Sequence, residues 1–171
     1  YCDTMKGTPN ITIKVPTAGG KTFIACNALA TIFDAMPMGK TKAVAWFVPS
    51  DTILKQTYQN LKNPLHPYRQ KIDTLFNGRV EVYDKQALLY GQNFNPIVVE
   101  EQLSIFVLRI QSFASTAKDK RLVYSENEHL TEFTKTYNHH EKRIEGADET
   151  SLIQVIAHLN PVMIIDESHN F

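Results

Sequence analysis

Eight consecutive residues near the start of the chain have the types and spacing of a phosphate-binding loop. They read Val-Pro-Thr-Ala-Gly-Gly-Lys-Thr and span positions 15–22. Glycines let backbone N–H groups turn toward phosphate oxygens, and a helix that follows directs its positive N-terminal end at the same anion. Lys21 can reach the β- and γ-phosphates of a nucleotide, and the Thr22 hydroxyl can bind a Mg²⁺ ion that bridges them. The backbone donors would be Thr17, Ala18, Gly19 and Gly20.

The loop needs a strand before it and a helix after it. The apolar run over 10–15 predicts the strand, and the pattern over 20–34 predicts the helix. Val15 stands where the strict G-x-x-x-x-G-K-[ST] pattern has its first glycine. The segment therefore predicts a phosphate loop in a strand–loop–helix unit.

Two acidic residues follow a second apolar run at the far end of the chain. The run covers 161–165, which predicts a buried strand, and it leads directly into Asp166 and Glu167. Ligands of open α/β sheets bind at the carboxyl ends of the strands, which is where these carboxylates would lie. Asp166 can hold Mg²⁺ and Glu167 can deprotonate an attacking water. An acidic strand exit without chemistry is the alternative, which the presence of a phosphate loop in the same chain disfavours.

Three stretches together resemble known motifs. Residues 15–22 are similar to motif I of the superfamily-two helicases of the DEAD/DEAH type, 44–50 to motif Ia, and 166–169 to motif II. The resemblance is closest to the motor subunits of restriction enzymes, in particular the type III Res subunit, whose motif II is often followed by an aromatic residue, here Phe171.

The resemblance implies a RecA-like α/β fold, with a mostly parallel sheet and helices on both faces. It implies ATP and Mg²⁺ as cofactors, hydrolysis of ATP, and translocation on DNA, with duplex DNA favoured over RNA. Lys21 and Glu167 would be catalytic, and His169 would couple the ATP state to a second RecA-like domain. A modification (methyltransferase) subunit is a further implied partner. The implied nucleic-acid contacts are Pro49, Ser50, Gln111 and Ser112.

Length and composition favour one domain over residues 1–171. Of the 171 residues, 43% are hydrophobic, which is enough for one sizeable core. The later helicase motifs and the arginine finger of a second domain do not occur, and no glutamine precedes Gln56. We therefore expect the chain to be the N-terminal part of a longer motor, with its adenine-recognition residues upstream.

Net charge and cysteine content exclude few classes of function. The 18 basic and 18 acidic residues balance, so composition does not predict a strongly basic nucleic-acid surface. Cys2 and Cys26 are the only cysteines, too few for a disulfide framework. No apolar run approaches the ~20 residues of a membrane span. These features favour a cytoplasmic setting without a membrane partner.

The rest of the chain predicts further strands and an insertion. Apolar or alternating runs predict strands over 43–48, 79–83 and 103–110, and Ser151 is expected to cap a helix that ends before 161. Between about 115 and 150 the composition becomes polar, which predicts a solvated insertion with a helix starting from a Ser125-x-x-Glu128 capping box.

Two other functions remain open on these residues. One is a P-loop NTPase that moves no nucleic acid, such as a kinase or a transporter ATPase. The other is an assembly module that binds nucleotide without hydrolysing it. Nucleic-acid binding and ATP hydrolysis by the intact protein distinguish the three.

Overall fold

The computed structural model describes residues 9–16, 19–37, 41–114, 122–137 and 143–166. The strands are β1 (Ala43–Val48), β2 (Val80–Tyr83), β3 (Leu103–Arg109) and β4 (Val162–Ile165). The helices are α1 (Lys21–Asp34), α2 (Asp51–Lys62), α3 (Pro67–Leu75), α4 (Lys85–Leu89), α5 (Pro96–Glu101), α6 (Gln111–Ala114), α7 (Thr131–Thr136) and α8 (Leu152–Leu159), with a 3₁₀ turn at Glu128–Leu130.

The four strands form one parallel sheet in the order β2-β3-β1-β4. β1 pairs with β3 on one side and with β4 on the other, and Val48 lies opposite Arg109 at the carboxyl end. Because all pairs are parallel, the carboxyl ends of the strands share one edge of the sheet. This arrangement confirms the predicted α/β class and places the strand exits side by side.

Helices cover both faces of the sheet, as the sequence predicts. On one face, α1, α2 and α3 pack against alternate residues of β1, including Val44 and Trp46. On the other, α8 and the segment around α7 pack against the intervening residues, including Ala45 and Phe47. β1 is buried along its whole length because both of its faces and both of its edges are covered.

β4 differs from the fully buried strand that its apolar sequence predicts. Val162 and Ile164 pack against the core, whereas the side chains of Met163 and Ile165 are 60% and 42% exposed. Among the described residues, β4 has a paired neighbour on one side only. An edge position explains the exposure, because fewer elements surround an edge strand than a central one.

The strand predicted over 10–15 is not formed. Residues 9–16 have an irregular backbone, and the side chains of Ile11 and Ile13 are 69% and 57% exposed. A strand requires a neighbouring strand for its backbone hydrogen bonds, and alternating apolar residues alone do not supply one. The prediction of a strand before the phosphate loop was therefore wrong for this structure.

The segment predicted as a solvated insertion contributes to the core. Val123, Leu130 and Phe133 are each at most 1% exposed and pack in the same cluster as residues of β1 and β3. The helical turns begin later than expected, with Asn127 rather than Ser125 capping the 3₁₀ turn. Polar composition concealed these three apolar positions, which pack in the core, whereas the other residues of 122–137 are exposed or half-buried.

Candidate active site and nucleic-acid edge

The residues before α1 form a tight turn. The Gly19 N–H donates to the Pro16 carbonyl at 2.9 Å, and the Ile24 N–H donates to the Gly20 carbonyl at the same distance, which starts the helix. Gly20 adopts φ 75° and ψ 30°, in the left-handed region. Only glycine enters that region without a steric penalty, so residue type and turn geometry agree here.

Gly19 meets a different constraint, which is lack of space. A Cβ atom at this position would lie 2.5 Å from Val15 Cγ1 and 2.9 Å from the Pro16 carbonyl oxygen. The second contact is with backbone and cannot be relieved by a side-chain rotation. The turn therefore keeps a narrow, side-chain-free surface beside the start of α1.

The N-terminus of α1 is suited to an anion. Its first turn holds Lys21 and Thr22, both half-buried, and contains no acidic residue. Gly20 at the N-cap has no side chain that could satisfy the first N–H groups. These groups and the helix dipole favour a negative charge at this end. Thr17 and Ala18 lie outside the described residues, so their backbone donors stay a prediction.

Packing shows which way α1 points. Phe33, near its C-terminal end, contacts Phe76 edge-on at 6.1 Å between ring centroids. Lys42, the residue before β1, lies over that same Phe76 ring. The C-terminal end of α1 therefore lies at the amino edge of the sheet. Its N-terminal end, with Lys21, points toward the carboxyl edge.

Asp166 lies at the carboxyl edge too. Its backbone N–H donates to the Phe47 carbonyl at 2.9 Å, which continues the ladder between β4 and β1 by one residue. The half-buried Asp166 is thus fixed to the centre of the sheet, as the sequence predicts for a strand-exit carboxylate. Glu167, His169 and Phe171 lie outside the described residues, and their roles stay predictions.

Two further turns with predicted contacts meet at this edge. Pro49 and Ser50 follow β1, while Gln111 and Ser112 follow β3, and the two strands are neighbours. Ser50 Oγ accepts a hydrogen bond from the Ile53 N–H at 3.3 Å, so this serine caps α2. The structure therefore brings together four residues that are about sixty positions apart in sequence.

An ion pair that the sequence analysis did not anticipate joins these two turns. Arg109 Nη1 donates to Asp51 Oδ2 at 2.6 Å, linking the end of β3 to the first residue of α2. Arg109 Nε is buried and has no hydrogen-bond partner within the described part of the chain. In the sequence, Arg109 is a single basic residue at the end of an apolar run and opens the segment whose resemblance implies a DNA-backbone contact, but no local pattern indicated its pairing with Asp51.

Cys26 lies on the buried side of α1. Its side chain is fully buried, and burial raises the pKa of the thiol to about 12. The thiol is therefore neutral at physiological pH and acts as a small apolar group in the core. It contributes packing rather than chemistry.

In a comparison with protein-family models, residues 3–171 match the model of "Type III restriction enzyme, res subunit". The chain belongs to this family. The resemblance inferred from three motifs is thus confirmed over nearly the whole chain. Searches of curated proteins and of solved structures found no match.

Membership of the Res-subunit family gives the domain its general character. The fold is a RecA-like P-loop fold, and the domain is a helicase-like ATP-binding motor domain of a restriction-subunit family. Such domains generally bind ATP with Mg²⁺, and the family indicates helicase-type hydrolysis of ATP. The phosphate turn and Asp166 are the described parts of this Res-family domain that fit those ligands.

The oxygen ligands available in this Res-family domain suit Mg²⁺. Thr22 offers a hydroxyl and Asp166 a carboxylate, and Mg²⁺ commonly binds one or two such groups together with substrate phosphates. Within the described residues there is no group of three or more His, Cys, Asp or Glu side chains that could hold a metal ion on its own.

None of the helices in the described part of this Res-family chain is long and apolar enough to cross a bilayer.

Proposed function

We propose that this chain is the first motor domain of an ATP-dependent DNA translocase in a type III-like restriction-modification system. The observation that carries the proposal is that two features suited to a nucleotide and Mg²⁺ lie at the same carboxyl edge of the sheet. A glycine turn opens onto an acid-free helix start, and Asp166 is anchored to β1 at the same edge of the sheet. Family membership supports the motor assignment.

In this proposal the phosphate turn holds the nucleotide. The backbone N–H groups of residues 17, 18 and 20 and of the start of α1 bind phosphate oxygens, because they carry partial positive charge and have no side-chain acceptor at the N-cap. The Gly19 N–H is already taken by the Pro16 carbonyl, so the sequence-based assignment of Gly19 as a backbone donor does not hold in this turn. Lys21 adds a full positive charge toward the β- and γ-phosphates. Gly19 keeps side chains away from the phosphates, since a Cβ there would meet the Pro16 carbonyl.

Thr22 and Asp166 would hold Mg²⁺, and Glu167 would act as the base. The ion, when bound, offsets negative charge on the phosphate oxygens. Asp166 is suited to this role because its backbone is fixed by the hydrogen bond to Phe47. Glu167 follows directly, so its carboxylate can orient a water molecule and accept its proton. Coupling of the ATP state to a second RecA-like domain is assigned to His169.

The DNA track is assigned to the turns after β1 and β3. Ser50 and Ser112 offer hydroxyl groups, Gln111 an exposed amide, and Pro49 a rigid turn, all at neighbouring strand exits. Such groups bind backbone phosphates and position a duplex without reading its sequence. A second RecA-like domain and a modification (methyltransferase) subunit complete the proposed assembly.

The test uses the intact protein that carries this chain. We expect Lys21→Ala to weaken nucleotide binding, and Glu167→Gln to keep binding but abolish DNA-stimulated hydrolysis. Titration calorimetry with Mg²⁺ present measures the first effect, and phosphate release with and without duplex DNA measures the second. Lys55→Ala, an exposed lysine on α2, is the matched control and should change neither.

The outcomes separate the alternatives. ATP hydrolysis that duplex DNA does not stimulate, by a protein that does not bind duplex DNA, would favour an NTPase without a nucleic-acid track. Nucleotide binding without any turnover by the unmodified protein would favour an assembly module. Equal affinity in Lys21→Ala and the unmodified protein would contradict the role given to Lys21.

A further inference from the structure

The ion pair between Arg109 and Asp51 lies between the two turns assigned to DNA. Arg109 ends β3 and is followed by Gln111 and Ser112, while Asp51 follows Ser50 at the start of α2. The guanidinium is therefore a positive charge between the four residues assigned to the DNA backbone.

The two side chains of this ion pair differ in how far they are buried. The Asp51 side chain is 70% exposed, whereas that of Arg109 is 31% exposed. The carboxylate can leave the pair for water at little cost, because it is already largely hydrated. The arginine stays at the sheet edge, since most of its side chain is buried there. Exposed pairs of this kind contribute little to stability.

The pair also leaves part of the guanidinium unused. Nη1 donates to a single Asp51 oxygen, whereas Nε is buried and therefore out of reach of a ligand that arrives from solvent, which leaves the terminal nitrogens as the donors for a phosphate. A guanidinium presents its donors in a planar fork that matches the oxygens of a phosphate. A phosphate at this position would offer more acceptor oxygens than the single Asp51 oxygen that the pair uses.

We propose that Arg109 is a DNA-phosphate ligand, and that Asp51 occupies its guanidinium until a phosphate displaces the carboxylate. This inference rests on the proposed DNA-translocating function and adds a residue and a competing charge to the same edge. Asp51 thereby lowers the affinity of this edge for DNA, because a phosphate must first displace the carboxylate. Asp51 also screens Arg109 from other anions. The alternative is a brace, in which the pair only holds the two turns together.

The two roles predict opposite signs for one variant. If Asp51 competes with phosphate, Asp51→Asn strengthens DNA binding and Arg109→Gln weakens it. If the pair is a brace, both variants break it and both weaken binding. The comparison depends on the direction of change rather than its size, so modest effects suffice.

The experiment measures binding of the intact protein to a fluorescein-labelled duplex DNA of mixed sequence by anisotropy over a series of salt concentrations. We expect Arg109→Gln to weaken binding by about 3- to 10-fold and to reduce the slope of log Kobs against log salt by about 0.9, as loss of one phosphate contact requires. We expect Asp51→Asn to strengthen binding about 2- to 5-fold, because it removes a competing charge. Arg109→Lys keeps the positive charge and should keep the slope.

A second ion pair supplies the matched control. Arg69 donates to Asp73 at 2.8 Å within α3, and it also donates to the backbone carbonyls of Leu61 and Val80. We expect Arg69→Gln and Asp73→Asn to change thermal stability but not DNA affinity. Thermal unfolding of all variants identifies any that do not fold.

Each result decides the proposal. Binding that Asp51→Asn weakens or leaves unchanged, or that Arg109→Gln leaves unchanged, would overturn it while leaving the DNA-translocating function in place. An unmodified intact protein that does not bind duplex DNA would overturn the DNA part of the proposed function, and the role of Arg109 with it.

Discussion

At the start of α1, two adjacent positions require glycine for two different physical reasons. Gly20 is needed for its positive φ, and Gly19 is needed because a Cβ atom would meet the Pro16 carbonyl. The role that we propose for them in nucleotide binding depends on backbone geometry rather than on side-chain chemistry. Lys21 follows directly, so an error in the turn would also move the one cation of the loop.

Substitution of Gly20 by alanine tests the turn. Residues other than glycine lose about 1–2 kcal/mol in the left-handed region. Gly78, in the turn between α3 and β2, has φ 70° and, like Gly20, has open space where a Cβ atom would lie. We expect Gly20→Ala and Gly78→Ala to lower the free energy of unfolding by similar amounts, and only Gly20→Ala to weaken ATP binding.

Chemical unfolding and calorimetric titration of the two variants provide the comparison. Equal ATP affinity in Gly20→Ala and the unmodified protein would show that the turn does not depend on the positive φ.

At the scale of elements, one ion pair fastens the end of α2 to β2. Lys62 Nζ binds the Glu81 carboxylate and also donates to the Val82 carbonyl at 3.2 Å. Burial acts to raise the pKa of Glu81, but the hydrogen bond and charge of Lys62, with donors from Val82 and Asn93, hold that pKa below its usual 4.5. The ionised carboxylate is therefore favoured by folding.

This pKa shift predicts a dependence of stability on pH. Because the pKa of Glu81 is lower in the folded state, its contribution is fully present above the unfolded-state pKa and is lost as pH falls through the folded-state pKa. We expect Glu81→Gln to lower the free energy of unfolding by about 0.5–1 kcal/mol at neutral pH, since both side chains are partly exposed. The difference should shrink as pH falls below about 4.5.

Urea unfolding at several pH values measures this difference. Glu145→Gln, at an exposed turn, is the control and should change stability little at any pH. A deficit in Glu81→Gln that persists undiminished in acid would mean that packing, rather than charge, accounts for it.

The segment around α7 is a second element whose role can be measured. Phe133 is 1% exposed and packs against Phe94, with 4.7 Å between ring centroids. We expect Phe133→Ala to lower the free energy of unfolding by about 3–5 kcal/mol, because it removes a buried ring and leaves a cavity.

Leu122→Ala is the matched control within the same segment. Its side chain is 56% exposed, so the change should stay within about 0.5 kcal/mol. Similar small losses in both variants, measured by chemical unfolding, would support the solvated insertion that the sequence predicts. A large loss in Phe133→Ala alone would support a core role.

At the scale of the whole molecule, hydrolysis is expected to need more than this domain. The family resemblance implies an arginine finger from a second RecA-like domain, and such a residue contributes about 10³-fold or more to the rate of phosphoryl transfer. The described edge supplies charge and backbone donors for binding, but the sequence contains no later helicase motif.

We therefore expect the isolated 171-residue chain to bind ATP yet hydrolyse it at least about 10³-fold more slowly than the intact protein. A coupled assay of phosphate release measures both, with the Glu167→Gln form of the isolated chain as the control for contaminating activity. Turnover in the isolated chain at a rate similar to that of the intact protein, and absent from Glu167→Gln, would show that the first domain is sufficient.

The sequence by itself determined the features that depend on neighbouring residues. The β1 strand has the predicted bounds, Ser151 caps α8 as expected, and a glycine, Gly20, occupies the left-handed position before α1. These features follow from local rules, because turns, caps and buried runs are specified within a few positions of the chain. The same local signals, combined as motifs, identified the family.

Only the tertiary structure decided how distant segments meet. It excluded a strand over residues 10–15, placed β4 at the edge of the described sheet, and buried Phe133 in a segment of polar composition. It also paired Arg109 with Asp51, 58 positions apart in sequence. A parallel strand needs a partner from elsewhere in the chain, and an isolated apolar residue is buried only if another element covers it. Neither condition can be read from a local pattern.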